Sequence, residues 1–473
     1  MEWIRVPGNK AVVMKYANNS ILFKSSRMSF PLVRAFLLFF LIVALRSENT
    51  GDNVCVAEED ATELLKIEKF LSWLKQNGAY ISPALAWPRY FGESKRRGVL
   101  FQNVELLEKE QTESSMALLV QIPRVLFLSP TEQVYTKYEN ELRVIGREQL
   151  FDPQSSHFSR FRLKDILLSL SIFEELSLGE NSFYYPYLNI LPQRLEYLES
   201  WIISDLKLFD DPALSTKVIE NAQKLKNITD ILFGITQMEK VSRFKYSYYL
   251  ARTRGYDFLH ENERYLFPYL DLFDVSPQNQ TTSFLFHPNM TGLQINTSLI
   301  QQDHEIFTPL LSYSNLFLLL TQGIILENNP YDAYPLVVNG FETLQDDPFR
   351  LKRAEIWKEK YPDGYSILLW KDSPPIILLN FFRLMFLQSE KDFKDFEKVV
   401  YSDLEEIVYS ACSKLIEIEF GKFKTTLEQD EVDLKKRSWT KAKLLALRYN
   451  SERKKILKEN LNFCLNQENK KKD

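Results

Sequence analysis

Residues 422–457 read KFKTTLEQDEVDLKKRSWTKAKLLALRYNSERKKIL. The basic clusters in this stretch, Lys435, Lys436, Arg437 and then Arg448, Arg453, Lys454, Lys455, alternate with Glu and apolar positions. That alternation reads as the solvated face of a helix rather than a nucleic-acid patch. Toward the N-terminus, Leu404, Val408, Ala411 and Leu415 fall at steps of four, three and four, which places them on one helical face. Helices are therefore expected from Phe341 onward, as an all-helical domain over 336–465 with a charged tail over 466–473.

Ahead of this tail the pattern changes twice. Residues 130–250 look mostly helical, with Ile166, Leu167, Leu170, Phe173 and Leu176 forming one apolar stripe. On either side lie β-type segments. GVLFQNVELL (98–107) and ALLVQIPRVLFL (117–128) read as strands, with Pro123 marking an edge or a bulge. Short apolar runs broken by loops follow over 266–336, and residues 63–77 form an amphipathic helix stopped by Gly78. Strands, a helical insertion, more strands and a helical tail describe an α+β domain over 60–335, with its insertion at about 130–250, joined to an all-α domain.

Composition narrows the chemistry. The 473 residues carry 59 Lys+Arg against 63 Asp+Glu, a net charge of −4, so no sequence-wide attraction to nucleic acid exists. Only 14 Gly are present, which disfavours glycine-rich phosphate cradles. Cys55, Cys412 and Cys464 with His157, His260, His287 and His304 make neither a disulfide framework nor a closed zinc site, and no metal is expected. No G-x-S-x-G, Walker or H-E-x-x-H motif occurs. Hydrolase, NTPase and zincin functions are set aside.

Residues 35–45, AFLLFFLIVAL, are too short to span a bilayer but have the length of a signal-peptide core. A start at Met28 would give Arg34 a place in a short basic lead. An N-terminal extension over 1–50 that routes the chain into the secretory pathway is expected, with a cytoplasmic or organellar location as the alternative.

Several segments, in order, resemble one family. The TTLEQDE turn and the basic helix after it, with LLNFFRLMFL (378–387) upstream, are similar to the helical substrate-binding domain of the Rubisco large-subunit lysine N-methyltransferase family of SET proteins. FLSWLKQNGA (70–79), RRGVLFQNVEL (96–106), IPRVLFLS (122–129), the Glu175, Gly179, Ser182, Pro186, Tyr187, Leu191, Pro192 series, FKYSYYLARTRGY (244–256), LFPYLDLFDVS (266–276) and ILENNPYD (325–332) resemble its catalytic-domain elements. The resemblance implies a SET-type β-sheet domain, S-adenosylmethionine as methyl donor and a protein side chain as acceptor.

It also implies a site. Gly98, Arg254, Asp271 and Asp274 fall on the family's cofactor-binding positions. The departures are as informative. Leu310 and Leu311 stand where the family has its channel tyrosine and the glycine after it. Asp274 and Val275 replace an Asn-His pair, and Arg96 replaces the first loop glycine. Leucine offers no donor, so no catalytic residue is assigned. Tyr313, three residues past Leu310, faces the other way in extended chain and is expected to pack in the core. Arg254 and Asp271 are also expected to be able to pair with each other. Two functions remain: a SAM-dependent protein-lysine N-methyltransferase, and a non-catalytic SET-like scaffold that binds a protein partner through its helical domain. The oligomeric state stays open.

Overall fold

The computed structural model describes residues 2–5, 11–16, 19–24, 61–91, 96–103, 116–150, 162–193, 195, 197–257, 263–276, 282–296, 302–309, 313–362, 364–436 and 439–469. The chain divides into two units, Met1–Val56 with Tyr90–Arg96, and Ala57–Arg89 with Arg97–Asp473. In the first, β1 (Glu2–Arg5), β2 (Ala11–Tyr16) and β3 (Asn19–Lys24) form an antiparallel three-stranded sheet with β2 in the middle. The apolar run at 35–45 lies outside the described residues. Among those described, no helix is long and apolar enough to cross a membrane.

The second unit begins with α1 (Ala61–Gln76), which buries Ile67, Phe70, Trp73 and Leu74, the three-and-four spacing of one helical face. Gly78 ends the turn after it with φ +80°, a conformation costly for other residues. Phe70 is fully buried, with its ring 5.8 Å from Trp87, 6.0 Å from Tyr187 and 6.5 Å from Tyr269. Next come β4 (Tyr80–Ile81), β5 (Leu85–Phe91), β6 (Arg96–Phe101) and β7 (Met116–Pro123). Pro123 closes β7 at the strand end, and Arg124–Leu126 form a 3-10 turn instead of continuing it. A proline donates no ladder hydrogen bond, so the strand stops there.

The helical insertion contains α2 (Glu132–Lys137), α3 (Glu139–Arg147), α4 (Leu163–Leu178), α5 (Tyr185–Leu188), α6 (Ile203–Leu206), α7 (Pro212–Phe233) and α8 (Met238–Arg254). Helix α4 is apolar on two sides because two cores meet on it. Leu168 and Ile172 face the sheet core, while Ile166, Leu170 and Phe173 face the insertion core. Then β8 (Tyr256–Asp257), β9 (Arg264–Tyr265), β10 (Asp274–Val275), β11 (Thr282–His287), β12 (Met290–Asn296) and β13 (Glu305–Thr308) complete the sheets. One sheet has the order β10-β13-β6-β5 and the other β11-β12-β7-β4. Gly292 lets β12 and β7 lie close, since a Cβ there would sit 2.5 Å from the Val120 carbonyl oxygen.

Helix α9 (Asn315–Gln322) leads to β14 (Ala333–Val337), and the C-terminal region follows as α10 (Arg350–Lys360), β15 (Ser366–Trp370), α11 (Ile376–Phe386), α12 (Ser402–Phe420), α13 (Leu427–Leu434) and α14 (Lys441–Asn469). The architecture is α+β, two four-stranded sheets with a helical insertion and then a largely helical region. The all-helical expectation for 336–465 is corrected here: β15 pairs antiparallel with β14 across a connection that contains α10, and its residues alternate in burial with the period of a strand.

Two basic residues expected on a solvated face are buried. Lys454 is 0% exposed, donating to Asp430 Oδ2 at 2.6 Å and Thr425 Oγ1 at 2.9 Å, while Thr425 donates to Asp430 Oδ1 at 2.6 Å. Arg453 donates to Asp211 Oδ2 at 2.6 Å and lies over the Tyr334 ring at 4.3 Å. Their partners lie on other elements, so the local alternation of charge could not reveal them. Asp211 is also the N-cap of α7, accepting from the Leu214 amide at 3.0 Å. This one carboxylate joins insertion to C-terminal helix, and the apolar contacts of Leu206, Phe209 and Leu214 with Ala446 and Tyr449 close the seam.

Candidate functional site

Helix α8 stops at Gly255, and its last residue carries the first site group. A Cβ on Gly255 would clash with the Ala251 carbonyl and lie 2.5 Å from Arg264 Nε, so only glycine lets Arg264 cross the helix end. Arg264 donates from Nε to the Ala251 carbonyl at 3.0 Å and from Nη2 to the Arg252 carbonyl at 3.2 Å, satisfying groups that a helix end leaves open. It is itself held by Asp165 at 3.2 Å and Asp257 at 2.8 Å. Burial opposes the charge of Asp257, but Arg264, Arg162 and Lys164 hold its carboxyl well below the usual range. This network fixes the base from which Arg254 projects.

Arg254 reaches a second element, the 3-10 turn Leu270–Leu272. Tyr269 just before it adopts φ +75°, rare for a residue with a side chain and the kind of strain that concentrates at functional sites. The turn presents Asp271. Arg254 Nη1 donates to the Asp271 carbonyl oxygen at 2.7 Å and to its Oδ2 at 3.2 Å, so the expected pair forms. Tyr187, from α5, donates its hydroxyl to the same Oδ2 at 2.7 Å. The Asp271 side chain is fully enclosed, whereas Arg254 keeps 21% of its side chain open.

The other carboxylate oxygen, Asp271 Oδ1, is buried with no hydrogen-bond partner among the described residues. That is unusual, because buried polar atoms are nearly always satisfied and an orphan costs about 1–3 kcal/mol, more when charged. Burial raises the Asp271 carboxyl above its ordinary pKa, against the pull of Arg254 and Tyr187. Burial opposes the charge of Arg254 too, but the neighbouring Asp271 carboxylate keeps its pKa raised. Tyr187 is pushed well above the ordinary phenol range by burial and then by Asp271, so it stays a donor. Tyr256 is likewise raised by burial and by Asp271, and its hydroxyl lies 3.5 Å from the Leu270 carbonyl.

The remaining sequence candidates lie on the sheet beside this turn. Asp274 is on β10, opposite Phe307 of β13 in a parallel pairing, and its carbonyl accepts from the Thr308 hydroxyl at 3.2 Å. Glu305 and Ile306 of β13 pair with Leu100 and Val99 of β6. Gly98, which is buried, precedes Val99 on β6, so it and Asp274 lie on the two strands that flank β13. Leu310 and Leu311 lie outside the described residues, as does the Arg96 side chain. Tyr313 is half-buried against Phe317, ring to ring at 4.3 Å, outside the apolar cores expected to hold it.

The sequence suggests Arg254 and Asp271 as candidates and gives no sign that Tyr187, 84 positions from Asp271, joins them. The Pro186-Tyr187 signature was visible in the text, but not what its hydroxyl meets.

The C-terminal region matches a family model, Rubisco LSMT substrate-binding, over residues 344–457. No curated protein sequence matches the chain. Among solved structures, that of Rubisco LSMT bound to AdoMet is similar with TM-score 0.59 at 18% identity, covering 85% of this chain and 92% of that one. The SET domain of LSMT bound to lysine and AdoHcy gives TM-score 0.60 at 18% identity over 86% and 92%. Its complex with methyllysine and AdoHcy gives 0.60 at the same identity over 85% and 92%. At this identity the likeness establishes the fold, and the site above stands on its own geometry.

Proposed function

We propose that this chain binds S-adenosylmethionine at the Arg254–Asp271 turn and acts as a protein-lysine N-methyltransferase, with the helical C-terminal region docking the protein acceptor. The orphaned Asp271 Oδ1 beside a partly open guanidinium carries the reading. An unpaired acceptor next to an available cation matches a zwitterion, and the methionyl end of S-adenosylmethionine is one. Arg254 is suited to the ligand carboxylate and Asp271 Oδ1 to its ammonium. Gly98 on β6 and Asp274 on β10 would flank the same ligand from the sheet.

S-adenosylmethionine, when bound, supplies an electrophilic methyl group that a neutral amine takes up by in-line displacement. This chain's contribution is to orient and desolvate. Tyr187 occupies Oδ2 of Asp271, which leaves Oδ1 as the oxygen with no hydrogen bond. The Arg264 network keeps the α8 terminus from shifting as Arg254 engages a ligand.

A second reading, a scaffold that binds a protein partner without turnover, is favoured by Leu310 at the channel-tyrosine position, since a hydrocarbon provides no polar alignment of the moving group. Incubating the full chain with methyl-labelled S-adenosylmethionine and cell-extract protein separates the two. Label incorporated into protein above a heat-inactivated control supports the enzyme. Saturable binding of the labelled compound without incorporation selects the scaffold, and neither binding nor incorporation overturns the cofactor reading itself.

A further inference from the structure

The two cysteines of the C-terminal region meet across a helix pair. Cys412 lies on α12 and Cys464 on α14, 52 positions apart, and their sulfurs approach to 2.6 Å. The two are free thiols in the structure, and their separation is only about half an ångström longer than that of a bonded pair. Both side chains are 0% exposed, within the same apolar cluster as Val408, Ile416 and Leu457. Val408, Cys412 and Ile416 recur every four residues on the face of α12 turned to α14, so the sulfurs are aimed at each other by rigid helices rather than by a loop.

We propose that Cys412 and Cys464 form a disulfide that staples α12 to α14, made while the chain folds in an oxidising compartment. The oxidant is a low-molecular-weight disulfide of the glutathione type. One cysteine thiolate attacks a glutathione disulfide sulfur and expels glutathione thiolate. The second cysteine thiolate then attacks the mixed disulfide, forms the Cys412–Cys464 bond and expels a second glutathione thiolate. Two S–H bonds are lost, one S–S bond forms, and two electrons and two protons end on two glutathione molecules. Exchange must precede closure of the core, because the finished structure buries both sulfurs and burial disfavours the thiolate. The signal-peptide-like run at 35–45 fits such a compartment. The bridge would close a long loop between two elements that each place three buried residues in the C-terminal core.

The test uses the full chain refolded in a glutathione redox buffer, then denatured and alkylated without reductant, and digested for mass spectrometry. The expected result is a Cys412–Cys464 linked peptide that separates on reduction, with Cys55 recovered alkylated. The oxidised protein should melt roughly 5 °C or more above the same protein refolded with dithiothreitol. A Cys55→Ala variant should keep both results, and a folded Cys412→Ala/Cys464→Ala variant should lose the difference. Full alkylation of Cys412 and Cys464 after glutathione refolding, or a bridge from either of them to Cys55, overturns the proposal, and this mapping on wild type needs no variant to fold.

Discussion

Two buried ion pairs in this molecule look alike and are built differently. At the C-terminal clasp, Lys454 and Asp430 are both fully enclosed, and both oxygens of Asp430 are used, one by Lys454 and one by Thr425. At the α8 turn, Asp271 is equally enclosed, but Arg254 and Tyr187 converge on a single oxygen and the second has no partner. A charge pair taken out of water is tolerated when every lone pair is met, so the clasp is complete as it stands. The turn leaves one buried carboxylate oxygen unmatched among the described residues, and the proposed cofactor site rests on that oxygen.

That contrast sets the order of expected effects. Removing the Lys454 amine by Lys454→Ala strands the Asp430 carboxylate in the core and should cost about 3–5 kcal/mol in chemical denaturation. Replacing both partners, Lys454→Met with Asp430→Leu, should recover much of that loss. If the single change is mild, the clasp is not the closed unit described. Asp271→Asn should be tolerated far better, at under about 2 kcal/mol, because it removes a charge that burial already disfavours. Equal losses at Asp271 and Asp430 would erase the distinction between the two sites.

Asp332 lies between these extremes. It accepts from the Asn315 amide and side chain at 2.8 Å each and from the Ala333 amide at 3.1 Å. Burial still outweighs those bonds and pushes its carboxyl up to about 6 from 3.8. The folded state therefore binds more proton than the unfolded state across that window, so stability contributed at low pH is lost as pH rises from about 4 to 6, by up to about 3 kcal/mol. Comparing melting against pH for wild type and Asp332→Asn checks it: the wild-type curve should carry a decline across this window that the variant lacks. The smallest effect is at the start of α13, where Thr426 and Gln429 cap each other through bonds of 3.2 and 2.8 Å. Thr426→Ala should cost about 1 kcal/mol, and Thr426→Ser close to nothing.

What was legible in the sequence follows the range of each interaction. Helix α1 and the face of α12 are written in local periods and appear where the text puts them, whereas β6 ends at Phe101 and β7 at Pro123, short of the strands expected over 98–107 and 117–128. Arg254 and Asp271 were reached through resemblance, and only coordinates show that they share an oxygen with Tyr187. The charged neighbours of Arg453 and Lys454 predict a solvated face, yet both residues are buried. The partners that bury them, Asp211 and Asp430, come from a distant helix cap and from α13. A sequence reports the presence of a charge well and its burial poorly, since burial belongs to a pair.

Calorimetric titration of the folded full chain with S-adenosylmethionine, wild type beside Asp271→Asn, probes the vacant oxygen most directly. Micromolar affinity is expected for wild type and a loss of tenfold or more in the variant, with the variant's melting temperature little changed. No heat from wild type at millimolar ligand, or the same affinity in both proteins, would contradict it.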